Sequence, residues 1–257
     1  MHVIRSFFIA LSLYSKIPVP QFVWNEEDMQ YSLCFFPWVG AVIGLCLAGW
    51  YAICERFSIG TLCYAAVGCA IPLVISGGFH VDGFMDTMDA FRSYQSRERK
   101  LEILKDSHIG AFSVICLALY YLLYLGAFSE VTVQRDLWVL GAGFFLARAF
   151  SGLAVVTFQP AKKDGMLCQF ASSANRRAVI VALVLQSVLC AAFMFALLPV
   201  TGAVVCVAAL LTFIYYRWRS YSEFGGITGD TAGYYVTLCE LVMAVAAAVC
   251  CVVTRGL

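Results

Sequence analysis

Gly77-Gly78-Phe79-His80-Val81-Asp82-Gly83-Phe84-Met85-Asp86-Thr87-Met88-Asp89 follows directly on the apolar run 59–76 and places four ionisable side chains at its end. Asp82, Asp86 and Asp89 are spaced four and then three residues apart. At 100° per residue a helix therefore brings them within roughly 60° of arc. Carboxylates one turn apart repel and resist ionisation, so a cation is expected among them. An all-oxygen ligand set suits Mg²⁺, or Mn²⁺, better than zinc. A solvated acidic helix face is the plainer reading in a soluble chain, and the surroundings argue against it.

Those surroundings are apolar. Of 257 residues, 62% are hydrophobic and 13% charged, and the mean hydropathy is +0.84, which marks an integral membrane protein in contact with a lipid bilayer. A net charge of +1, with basic residues scattered among loops, gives no reason to expect nucleic acid as a partner. The 12 cysteines lie mostly within apolar runs and show no paired CxxC spacing, so they read as small hydrophobes.

Outward from the motif, apolar runs near 35–54, 59–76, 109–128, 137–157, 178–198, 200–216 and 233–254 are each about long enough to cross a bilayer. The expected architecture is all-α: a single transmembrane catalytic domain over 1–257, with about seven transmembrane helices. Pro199, Thr201 and Gly202 alone divide two of the runs, so the count could be six. Residues 2–14 form an amphipathic helix with His2, Arg5, Ser6 and Ser12 opposite Val3, Phe7, Phe8, Leu11 and Tyr14, which suits the membrane interface. Seven spans put segments 1–34, 77–108, 158–177 and 217–232 on one side, and these hold thirteen of the 17 Lys and Arg residues. The opposite side has Arg56, Arg135 and Arg255, so the positive-inside rule turns the aspartate motif toward the cytoplasm.

Other polar features gather on that side. Gly225-Gly226-Ile227-Thr228-Gly229-Asp230-Thr231-Ala232-Gly233 is dense in glycine, which lets backbone approach a ligand at Gly229, and Asp230 is placed to cap the helix that follows. Lys105 and Asp106, with His108, lead into the third apolar run; the basic residues of this loop could hold an anionic substrate, and Asp106 could be a plain helix cap. Arg148 and Glu240 lie within apolar runs, where a charge is costly and usually faces the bundle interior. They either pair with each other, or Arg148 meets a substrate phosphate, for which its fork is suited. His80, beside the carboxylates, is a candidate general base or phosphate ligand. Together these residues point to a metal-dependent transferase acting on a diphosphate.

The string Gly-Gly-Phe-His-Val-Asp-Gly-Phe-Met-Asp-Thr-Met-Asp at 77–89, then Leu-Lys-Asp-Ser-His-Ile-Gly at 104–110 and Gly-Gly-Ile-Thr-Gly-Asp-Thr at 225–231, resembles the cobalamin synthase (adenosylcobinamide-GDP ribazoletransferase) family. The likeness runs through nearly the whole chain. It implies a multi-pass enzyme of the bacterial inner membrane with its site facing the cytoplasm. Such an enzyme joins adenosylcobinamide-GDP to α-ribazole or its 5'-phosphate and releases GMP, with Mg²⁺ required. By motif, Asp82, Asp86 and Asp89 would hold the metal, Asp230 would be the fourth ligand and His80 the base. Arg148, Lys105, Asp106 and Gly229 are the expected substrate contacts, and an oligomer is possible. Competing readings are a CDP-alcohol phosphotransferase, whose Asp-Gly-x-x-Ala-Arg is absent, and a prenyltransferase, which would normally show a second aspartate-rich motif. A cation transporter should carry its carboxylates near the bilayer midplane instead.

Overall fold

A computed structural model describes residues 2–20, 25–162 and 166–256, and its regular elements there are all helices. In chain order these begin with α1 (His2–Tyr14), α2 (Glu26–Met29), α3 (Ser32–Phe57), α4 (Thr61–Ser76), α5 (Phe79–Arg92) and α6 (Arg97–Ile103). They continue with α7 (Ala111–Glu130), α8 (Gln134–Thr157), α9 (Met166–Ser173), α10 (Arg176–Leu197), α11 (Pro199–Phe224) and α12 (Gly229–Arg255). Six of them, α3, α7, α8, α10, α11 and α12, are long and apolar enough to cross a membrane. Pro199 opens α11 at its first turn, where a missing N–H costs nothing, so the 178–198 and 200–216 runs are two helices.

The seventh run is shorter than a usual span. α4 has 16 residues, about 24 Å at 1.5 Å per residue, against roughly 30 Å of hydrocarbon. Even so it joins the two ends of the bundle. Near its start the Tyr64 hydroxyl donates to Val131 O (2.6 Å) and Trp50 Nε1 donates to Tyr64 O (2.9 Å). At its finish Lys16 N donates to Ile75 O (2.8 Å). Gly77 and Gly78 then take φ of +68° and +82°, a left-handed conformation that glycine enters without penalty, and the chain turns by 94° into α5. α5 therefore lies across the end of the bundle rather than through it.

α8 is the central helix, with α3, α10, α11 and α12 packed around it. At the end far from α5, Arg255 donates to Glu130 Oε2 (2.9 Å) and Thr201 Oγ1 donates to Asp136 Oδ1 (3.4 Å). At the near end Lys100 of α6 pairs with Glu223 of α11, which Arg219 also reaches at 2.7 Å. Within the N-terminal helix Ser12 is exposed, while Ser6 on the same polar side is buried and donates to Asp28 O (2.7 Å), so protein meets that side at Ser6. All 12 cysteines are free thiols, as expected of small core and lipid-facing residues.

Candidate active site

α5 can carry its aspartates to α12 because two glycines meet between the helices. A Cβ on Gly83 would stand 2.6 Å from Asp230 O, and one on Gly233 3.0 Å from His80 O. Asp230, in the first turn of α12, is thereby brought to the aspartate-bearing side of α5. The turn before it is fixed by a reciprocal cap: Thr228 Oγ1 accepts from Thr231 N (3.2 Å), and Thr231 Oγ1 accepts from Thr228 N (2.8 Å). Its outer edge is pinned to the segment after α8, with Ile227 N donating to Gln159 O (2.9 Å) and Ala161 N to Ile227 O (2.8 Å). That pairing sets the charge of Lys162 to act on Asp230, while its Nζ donates to Leu101 O at 3.0 Å. Neither Gly83 nor Lys162 stands out by residue type; the only sequence signal for Gly83 is its place within the aspartate motif.

Asp82 is exposed, and Asp86, Asp89 and Asp230 are half-buried. Burial, together with the charges of Asp82, Asp230 and Asp89, pushes the Asp86 carboxyl up to about 7. Four carboxylates from two helices thus share one electrostatic site. Among the described residues no three Asp, Glu, His or Cys side chains already stand in chelating proximity. The donor chemistry nonetheless fits a hard divalent ion, since the donors are all oxygen and mutually repulsive, and the exposed Asp82 is free to change rotamer.

Three of the expected site residues are held in contacts of their own. Asp89 Oδ2 accepts from Gly110 N (2.7 Å) and Oδ1 from Ser113 N (2.9 Å), so this carboxylate caps the start of α7 and fastens α5 to it. Of the two readings of Arg148 the structure has the pairing: its side chain is 1% exposed, and Nη1 donates to Glu240 Oε1 (2.7 Å) and Phe144 O (3.0 Å). The two intramembrane charges pair because neither could be left alone at that depth. His80 is 4% exposed and faces inward, ringed by Phe36 and Phe79, with burial and then the Arg148 charge holding its imidazole well below the ordinary value. It is about 160° round α5 from Asp82, so it is not placed as a base for a hydroxyl at the aspartates. Lys105 and Asp106 are exposed, Asp106 Oδ1 bonding His108 Nδ1 at 2.6 Å, and Gly229 is exposed in the first turn of α12.

The family model described as cobalamin-5-phosphate synthase matches residues 6–248 of this chain. The chain belongs to that family. It is 44% identical over 243 residues to the adenosylcobinamide-GDP ribazoletransferase of Lachnoclostridium phytofermentans, covering 95% of this chain and 93% of the relative. Proteins of the same name from Geobacillus sp. and Clostridium perfringens are 32% and 31% identical, with 90% of this chain covered in each and 90% and 92% of the relatives. No solved structure matches the chain.

Proposed function

We propose that this protein is an adenosylcobinamide-GDP ribazoletransferase working at a divalent-cation site on the cytoplasmic face of a bacterial inner membrane. The carrying observation is the meeting of α5 and α12 at Gly83, which sets Asp230 beside Asp82 and Asp86. Those three carboxylates would hold the ion, Mg²⁺ by its preference for oxygen, or Mn²⁺. Bound there, it supplies neutralisation of the diphosphate oxygens during in-line displacement.

The protein's own part is placement. A hydroxyl of α-ribazole, or of its 5'-phosphate, forms a bond to the phosphorus that bears the cobinamide; the P–O bond to GMP breaks, and GMP leaves with the electron pair. Lys162, beside Asp230, adds positive charge where the leaving phosphate would gather negative charge. The hydroxyl proton passes to a carboxylate oxygen or to solvent, His80 being on the other side of α5. In membranes supplied with adenosylcobinamide-GDP and α-ribazole 5'-phosphate, GMP should form with Mg²⁺ and not with excess chelator. Equal release in both would remove the metal from the proposal.

Orientation rests on the thirteen-to-three distribution of Lys and Arg about the spans. Ser96, which caps α6 beyond the aspartate helix, is the position to probe. In a cysteine-free background, Ser96→Cys should react with a membrane-impermeant maleimide only in inside-out vesicles. Reaction in intact spheroplasts would reverse the topology.

A further inference from the structure

A second polar cluster lies inside the bundle, on the side of α5 away from the aspartates. His80 of α5, Tyr124 of α7, Arg148 of α8, and Thr237 and Glu240 of α12 surround a void of about 10 Å³. Four of them present buried polar atoms without a protein partner: both His80 ring nitrogens, Tyr124 Oη, Arg148 Nε and Thr237 Oγ1. The side chains that carry them are between 1% and 4% exposed. Such atoms are costly to bury unbonded, and a cavity of about 10–15 Å³ with two to four polar partners is what one water molecule needs. The void is too small for any organic group. Donors and acceptors are complementary: the guanidinium N–H only donates, while the hydroxyls and a neutral imidazole do both.

We infer that this void is an internal water site, and that the water it binds ties His80 to Arg148, Thr237 and Tyr124. His80 is thereby a positioning residue: the site joins α5, α7, α8 and α12, and so fixes the roll of α5 about its axis. That roll decides where Asp82 and Asp86 stand relative to Asp230, because the two faces of one helix turn together. The water site itself depends on nothing about catalysis; its consequence for the aspartates rests on the proposed metal-dependent transfer.

Two measurements separate these layers. Radiolytic hydroxyl-radical labelling of the purified protein, which marks side chains touching bound water even when buried, should modify Tyr124 well above Phe128, one turn further along α7 and equally sealed. Labelling of Tyr124 at the Phe128 level, after correction for intrinsic reactivity, would overturn the water site whatever the enzyme does. His80→Gln keeps a donor and an acceptor; it should retain the Tyr124 label, and activity within about threefold of wild type. His80→Leu should lose the label and raise the half-saturating Mg²⁺ concentration by about tenfold or more, the scale of a lost supporting shell. If His80→Gln is as inactive as His80→Leu and both flatten the acid limb of the pH–rate profile, His80 acts on the proton and the positioning role is wrong. Full activity in both variants with the label lost in His80→Leu would also overturn that role.

Discussion

Asp82→Asn and Asp86→Asn are each expected to lower GMP formation by more than about a hundredfold, with insertion in the membrane unchanged. Losing even an outer-shell partner of a metal site costs about 10–100-fold, and here a direct carboxylate oxygen and its charge go together. Sequence spacing treats Asp89 as their equal, and the structure separates it. Both oxygens of Asp89 are engaged by Gly110 N and Ser113 N, so Asp89→Asn weakens a helix terminus by about 1 kcal/mol and shifts α5 indirectly. A ligand that binds only the folded state raises the melting temperature, which gives a readout free of substrate. Mg²⁺ should therefore raise Tm of wild type and Asp89→Asn, and leave Asp82→Asn and Asp86→Asn unmoved. Near-normal turnover of Asp82→Asn or Asp86→Asn at low Mg²⁺ would end the metal assignment; an Asp89→Asn protein blind to Mg²⁺ would restore Asp89 as a ligand.

What the sequence discloses here follows from the range of the interaction concerned. The shared face of Asp82, Asp86 and Asp89 is a local consequence of helical period and was legible, as was the multi-span architecture. The same period puts His80 about 160° from Asp82, so its separation from the carboxylates is also legible in the spacing, despite their nearness in sequence. Arg148 and Glu240 could be recognised as costly charges, and pairing was one of two readings, because two facing intramembrane charges neutralise each other whatever else they do. The capping of α7 by Asp89 was hidden, since its partners lie 21 and 24 residues on and any exposed aspartate fits an acidic face. The pairing of Gln159 and Ala161 with Ile227 was hidden for the same reason: it is backbone to backbone and leaves no mark on residue type.

Gly83→Ala adds a single methyl group and should cost the protein both activity and stability. In an exposed helix this change stabilises, by about 1 kcal/mol, because alanine loses less conformational freedom than glycine. At position 83 the new Cβ would lie 2.6 Å from Asp230 O and 2.9 Å from Asp230 Cα. Both are backbone atoms, so no side chain can move aside, and α5 and α12 must part. Parting them separates Asp82 and Asp86 from Asp230, so activity should fall by about a hundredfold or more, since misplacement of about 1 Å can cost that much. Tm should fall too, opposite in sign to the helix preference. Gly229→Ala is the control, because a Cβ there meets nothing within 4 Å; it adds one methyl group to the same glycine-rich turn and should keep activity and Tm near wild type. If Gly83→Ala instead melts higher and turns over normally, the two helices do not meet as closely as the site requires. If Gly229→Ala is the inactive one, the turn contacts substrate through its backbone at 229, and the cluster is organised from α12 alone.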